Sequence, residues 1–121
     1  MTFKEAFYFI SFCLSAQNDK KTKLIIQDKL LKTNIDWDII VKVTSKFLVL
    51  PAFYSSLKKL NLLSHLPIDL VKYMKQITSI NQARNEQIIL EAKNINEILI
   101  SENVKPIFLK GTSNLLTGLY Y

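Results

Sequence analysis

Glycine and proline are the residues that most readily interrupt regular backbone, and this 121-residue chain holds only two of the first and three of the second. So few breaks argue against the turn-dense pattern of a sandwich or barrel and favour long helices. Apolar residues make up 49% of the sequence, enough to build a core in one domain of this length. The expected fold is mainly α, with about five to six helices in a bundle.

Helical periodicity and capping residues place those helices. Phe3, Phe7, Ile10 and Leu14 recur at helical spacing, and Thr2 with Glu5 three residues on reads as a capping box. After the polar link Gln17-Asn18-Asp19, a second amphipathic segment runs from Lys20 to Leu31, marked by Leu24, Ile25, Leu30 and Leu31. Asn34 or Asp36 can cap a third helix whose apolar face would carry Trp37, Ile40, Val41, Thr44 and Leu48. Pro51 closes that helix and opens a fourth through Leu60, with a strand at Phe47 to Leu50 as the alternative. Pro67 and Asp69 announce the longest segment, which passes through a polar gap between Asn81 and Gln87 and continues toward Ile100. That gap fits either two helices or one, and the continuous helix is preferred.

The texture changes after Glu102-Asn103-Val104. Lys105-Pro106-Ile107-Phe108-Leu109 reads as a short buried strand and Lys110-Gly111 as a turn. Thr112 or Ser113 would then cap a helix through Leu115, Leu116, Leu119 and Tyr120. The expected division is a helical domain over 1–103 and the start of an incomplete α/β domain over 104–121. A lone strand is not stable by itself, so its partners would lie in another segment or another chain. Self-association through the edge at Ile107 to Leu109 is one way to cover it.

The chemistry-bearing residues are few. Cys13 is the only cysteine and His65 the only histidine, which excludes an internal disulfide and a Cys/His zinc site and fits a reducing, cytoplasmic setting. Cys13 lies among Phe9, Phe12 and Leu14 and reads as a core thiol. His65 has no partner near it in sequence and reads as a surface or capping residue. Asp36 and Asp38, two apart at a helix start, suit capping and dipole roles better than metal binding. Arg84, the only arginine, stands in the polar gap, where solvent, Glu86 or a ligand could face it. The net charge of +6 therefore comes from lysine, a weak signal for nucleic acid, whose surfaces lean on arginine forks. Ala6 to Ala16 is too short to span a bilayer, and Glu5 beside Lys4 spoils the positive start of a secretory signal, so no membrane partner is expected.

A strand, a glycine turn and a hydroxyl-capped helix together make an anion site: backbone N–H groups point outward, and glycine lets a phosphate approach. Lys110, Gly111, Thr112 and Ser113 are the candidate phosphate-binding residues, although Lys-Gly-Thr-Ser is by itself a common sequence lacking the Walker spacing. The run from Asn34-Ile35-Asp36-Trp37 through Val49-Leu50-Pro51 to Val104-Lys105-Pro106-Ile107-Phe108-Leu109-Lys110-Gly111, with Leu119-Tyr120 after it, resembles the uncharacterised bacterial nucleotidyltransferase family of the polymerase-beta-like superfamily. The resemblance covers nearly the whole chain. It implies transfer of a nucleoside monophosphate from a nucleoside triphosphate, phosphates held at the turn equivalent to Gly111-Thr112-Ser113, and two magnesium ions on a following Asp-x-Asp strand.

No Asp or Glu occurs after Glu102, and two divalent ions need convergent carboxylates. The chain is therefore expected to be the amino-terminal part of such an enzyme, ending before the metal motif, holding no metal or catalytic residue of its own and inactive alone. The alternative is a non-catalytic helical interaction module that offers its apolar carboxyl end to another chain. Acceptor and nucleotide preference are not legible in these residues.

Overall fold

A computed structural model describes residues 1–16 and 19–118. Among them six α-helices follow one another: α1 (Phe3–Ser15), α2 (Lys20–Lys32), α3 (Trp37–Lys46), α4 (Leu50–Lys59), α5 (Ile68–Ser101) and α6 (Lys110–Leu116), with a 3-10 turn at Leu63–His65 before α5. The described residues contain no strand.

The helix starts are fixed by side chains close in sequence. Thr2 Oγ1 accepts the Glu5 N–H at 3.2 Å while the Glu5 carboxylate accepts the Thr2 N–H at 2.7 Å, so each satisfies a donor that the first turn of α1 leaves open. Asp19 accepts the N–H groups of Lys21 and Thr22 at the head of α2. Asp36 accepts the Ile39 N–H at 3.2 Å at the head of α3. Pro51 stands in the first turn of α4, where its missing N–H costs nothing.

Three helices stop in the same manner. Leu48, Asn61 and Asn103 adopt left-handed φ values of 57°, 55° and 60°. The N–H of the residue after each reaches back to a carbonyl five positions earlier: Val49 to Thr44, Leu62 to Leu57 and Val104 to Leu99. This closure satisfies carbonyls that the helix end would otherwise leave open. Asparagine tolerates the conformation, whereas leucine rarely adopts it. Leu48 therefore does not extend the α3 stripe as periodicity suggested; it lies beyond the helix and is 88% exposed.

The chain divides into two compact units, Met1–Thr78 and Ser79–Tyr121. In the first, Ala6, Phe9, Ile10 and Cys13 of α1 join a core with Ile40 and Val43 of α3 and Phe53 and Leu57 of α4. Ile26 of α2 and Met74 of α5 also belong to it. Phe9 and Phe53 meet edge to face with centroids 6.4 Å apart, a favoured aromatic geometry. Thr44 is fully buried, and its hydroxyl donates to the Ile40 carbonyl at 2.8 Å, so the core holds it without an unpaired group. The Ser56 hydroxyl ties α4 to α1 by donating to the Cys13 carbonyl.

The faces of α1 and α2 differ from the sequence expectation. Ile10 is buried, but Phe3, Phe7 and Leu14 are exposed, and Ala6, Phe9 and Cys13 take the inward positions. On α2, Leu24, Ile25 and Leu31 are exposed and Ile26 is the buried residue. Both helices are rich in apolar residues on more than one side, so periodicity alone could not choose the inward one.

In the second unit Ala92 and Leu115 are buried, while Leu90, Ile95, Ile98, Ile100, Ile107 and Leu109 are exposed. The expected strand over Lys105–Leu109 does not form: residues 104–109 have no regular structure, and Ile107 is 84% exposed. A strand needs a neighbour to supply its ladder, and the described residues offer none; Pro106 also removes one donor. The preferred continuous helix through the polar gap is present, since α5 runs unbroken for 34 residues. Helix α6 is followed to Leu116, and the expected continuation at Leu119 and Tyr120 lies outside the described residues, as do Gln17 and Asn18 of the first link.

Candidate functional site

Lys110, Gly111, Thr112 and Ser113 form the first turn of α6. The sequence placed Lys110-Gly111 in a turn before the helix and Thr112 or Ser113 at its cap. Instead Leu109, with extended backbone, is the capping position, and it makes no side-chain cap bond. The chain turns at Lys110, whose φ of 53° is left-handed. Such a conformation in a residue with a side chain costs about 1 kcal/mol.

Gly111 is exposed, its φ is not among the left-handed ones, and a β-carbon built there would meet nothing within 4 Å. Neither backbone conformation nor packing within this chain calls for glycine at 111. Thr112 and Ser113 are half-buried. The four residues are thus contiguous on one short helix, with open space over the glycine.

The other candidates are exposed or take structural roles. Arg84 is exposed on α5. His65 is half-buried, with Nε2 at 3.4 Å from Gln27 Nε2 on α2. Cys13 is fully buried, and burial pushes its thiol up to about 12, with Lys29 pulling weakly the other way, so the nucleophilic thiolate is suppressed. Asp36 caps α3 and, with Asp38, Met1 and Trp37, borders a shallow open depression. Trp37 is partly buried against the core rather than fully inside it. Among the described residues no three His, Cys, Asp or Glu side chains come together as a metal site requires, so the residues present do not fit a two-ion centre. Among the described residues no helix is long and apolar enough to cross a membrane.

Sequence reasoning also missed a group of exposed rings, Phe3, Phe7, Tyr8 and Phe47. The signal was present as aromatic residues at positions i, i+4 and i+5 of α1, but periodicity assigns Phe3 and Phe7 to its apolar stripe and passes over Tyr8.

The class of protein follows from comparison with known families, because the helices alone define no chemistry. Residues 33–121 match the model of the uncharacterised nucleotidyltransferase family. The match takes in α3 to α6 and the whole Lys110–Ser113 turn, and the chain belongs to that family. No curated protein and no solved structure matches the chain.

Proposed function

We propose that this chain is the amino-terminal part of a nucleotidyltransferase of the polymerase-beta type, which moves a nucleoside monophosphate from a nucleoside triphosphate to an acceptor. The family match over residues 33–121 carries this reading. In it, residues 1–103 are the helical scaffold and 104–121 begin the catalytic α/β element. Lys110 supplies a full positive charge, and the backbone at Gly111, Thr112 and Ser113 faces the nucleotide phosphates. The open space over Gly111 supports that role, since neither packing nor conformation accounts for a glycine there.

Magnesium belongs to the complete reaction, where it neutralises charge on the transferred phosphoryl group. The carboxylates that would hold it are not among these 121 residues, as no Asp or Glu follows Glu102. In this reading the 121 residues alone do not catalyse transfer, and the segment that carries the carboxylates also covers Ile107 and Leu109. A second reading, a helical interaction module without catalysis, is favoured by those same exposed apolar residues.

Nucleotide binding separates the two, since under neither reading does the chain alone transfer label. The 121-residue protein with an α-labelled nucleoside triphosphate in magnesium or manganese is expected to transfer nothing, yet to bind the nucleotide weakly by equilibrium dialysis. Gly111→Val is expected to abolish that binding with an unchanged circular dichroism spectrum. Transfer by the chain alone would refute its inactivity. Nucleotide binding that is absent, or indifferent to Gly111→Val, would favour the interaction module.

A further inference from the structure

Phe3 and Phe7 of α1 reach the ring of Phe47, just past the end of α3, with centroids 6.5 and 5.6 Å away. Phe7 also meets Tyr8 edge-on at 6.3 Å. None of the four rings is less than 42% exposed, and the next residue, Leu48, is 88% exposed. Folding ordinarily hides such side chains, and a contiguous exposed group of them marks a contact surface. The backbone maintains the exposure, because the left-handed turn at Leu48 and the Val49 bond back to Thr44 end the helix there.

The surface is also cationic. Lys46 Nζ stands 5.4 Å from the Phe3 centroid and 5.8 Å from that of Phe47, and Lys4 Nζ stands 6.0 Å from Tyr8. The neighbouring acid in sequence, Glu5, keeps its charge but is held by the Thr2 N–H in its capping box at the head of α1. Lys42, exposed on α3 one turn before Lys46, adds to the same sign.

This combination discriminates between occupants. A second copy would bring Lys4 and Lys46 against an equally cationic patch. A single-stranded nucleic acid would need open ring faces for base stacking, but these rings meet at steep angles and Lys46 lies over two of them. Leu48 offers a base nothing. A bilayer surface uses every part: rings at headgroup depth, an aliphatic tip at the acyl boundary, and ammonium groups among anionic headgroups. We infer that the Phe3, Phe7, Tyr8, Phe47 and Leu48 face docks this protein on an anionic lipid surface. The expectation of no membrane partner rested on span length and the lack of a secretory start, neither of which bears on a surface contact.

Co-sedimentation with vesicles tests the inference, using phosphatidylcholine alone and phosphatidylcholine with one quarter phosphatidylglycerol. The protein is expected to sediment with the anionic vesicles, to stay in solution with the zwitterionic ones, and to be released by salt. Leu48→Asn suits the left-handed backbone, so the fold persists by circular dichroism while vesicle affinity drops about tenfold. Lys4→Glu combined with Lys46→Glu lowers it at least about tenfold. The inference is overturned if anionic vesicles carry down no protein, or if Leu48→Asn sediments like the parent. It is equally overturned if the patch instead supports a Leu48-dependent dimer by light scattering or Leu48-dependent binding of single-stranded RNA.

Discussion

The two compact units spend similar apolar compositions in opposite ways. In Met1–Thr78, Phe9, Ile10, Ile26, Ile40, Phe53, Leu57 and Met74 are buried against one another. In Ser79–Tyr121, Ile95, Ile98, Ile107 and Leu109 are exposed at half or more of their surface, and Ala92 and Leu115 are the buried apolar residues among those described. The difference teaches that apolar content does not make a core; several elements meeting at one place do. Helices α1, α3 and α4 meet in the first unit, whereas the described residues of the second bring together the latter part of α5, residues 104–109 without regular structure and the seven-residue α6.

The contrast should appear first in stability. Phe53→Ala empties a site with no exposed surface and is expected to cost about 3–5 kcal/mol, read as a fall in the urea midpoint. A loss under 1 kcal/mol would mean that the first unit is not held by this core.

Cys13 reports on the same core from within. Its thiol is expected to react with an aromatic disulfide reagent only as fast as the unit opens. Because burial raises its value from 9.0 to about 12, the folded state binds this proton more tightly than the unfolded chain does. The associated stability is complete below 9 and is lost as pH rises toward 12. Rapid labelling at neutral pH in the absence of denaturant would contradict this.

The caps come next in size. Asp36→Ala is expected to lower the stability of the first unit by about 1 kcal/mol. Acid acts on the other two. Bonds from Thr2 hold the Glu5 carboxyl below its usual range, and bonds from the Thr22 hydroxyl and the Lys21 N–H do the same for Asp19. With folded values lowered, their contribution is present at neutral pH and disappears as pH falls through those lowered values. Thermal unfolding followed downward from neutrality should show a falling midpoint, with a shallower fall in Asp19→Ala.

The smallest effect belongs to the second unit. Ile98→Ala, at a position 64% exposed, is expected to change stability by less than about 0.5 kcal/mol in the isolated chain. A cost comparable with that of Phe53→Ala would erase the distinction between the units.

What could be read from residues alone follows the range of the forces involved. The capping box at Thr2 and Glu5, the cap at Asp36, the break at Pro51 and the unbroken α5 are decided within a few residues, and each was visible. The inward face of α1 was not, because choosing Phe9 over Phe7 depends on where α3 and α4 lie. The strand at Lys105–Leu109 failed for the same reason in reverse: its β-like composition is local, but the ladder requires a partner from elsewhere. With no strand to lead into it, α6 begins at Lys110, ahead of the hydroxyl residues proposed as its cap. The family, by contrast, was suggested by a resemblance carried by Asp36-Trp37, Leu50-Pro51 and Leu109-Lys110-Gly111, and the match over residues 33–121 bears it out.

The early placement of the main core has a consequence for biosynthesis. Every side chain of that cluster lies at or before Met74. A nascent chain has therefore delivered the full set from the ribosome while Lys110–Ser113 is still inside the exit tunnel or unsynthesised. The first unit is placed to collapse vectorially, giving the growing polypeptide a folded amino-terminal body before its proposed phosphate-contacting turn emerges.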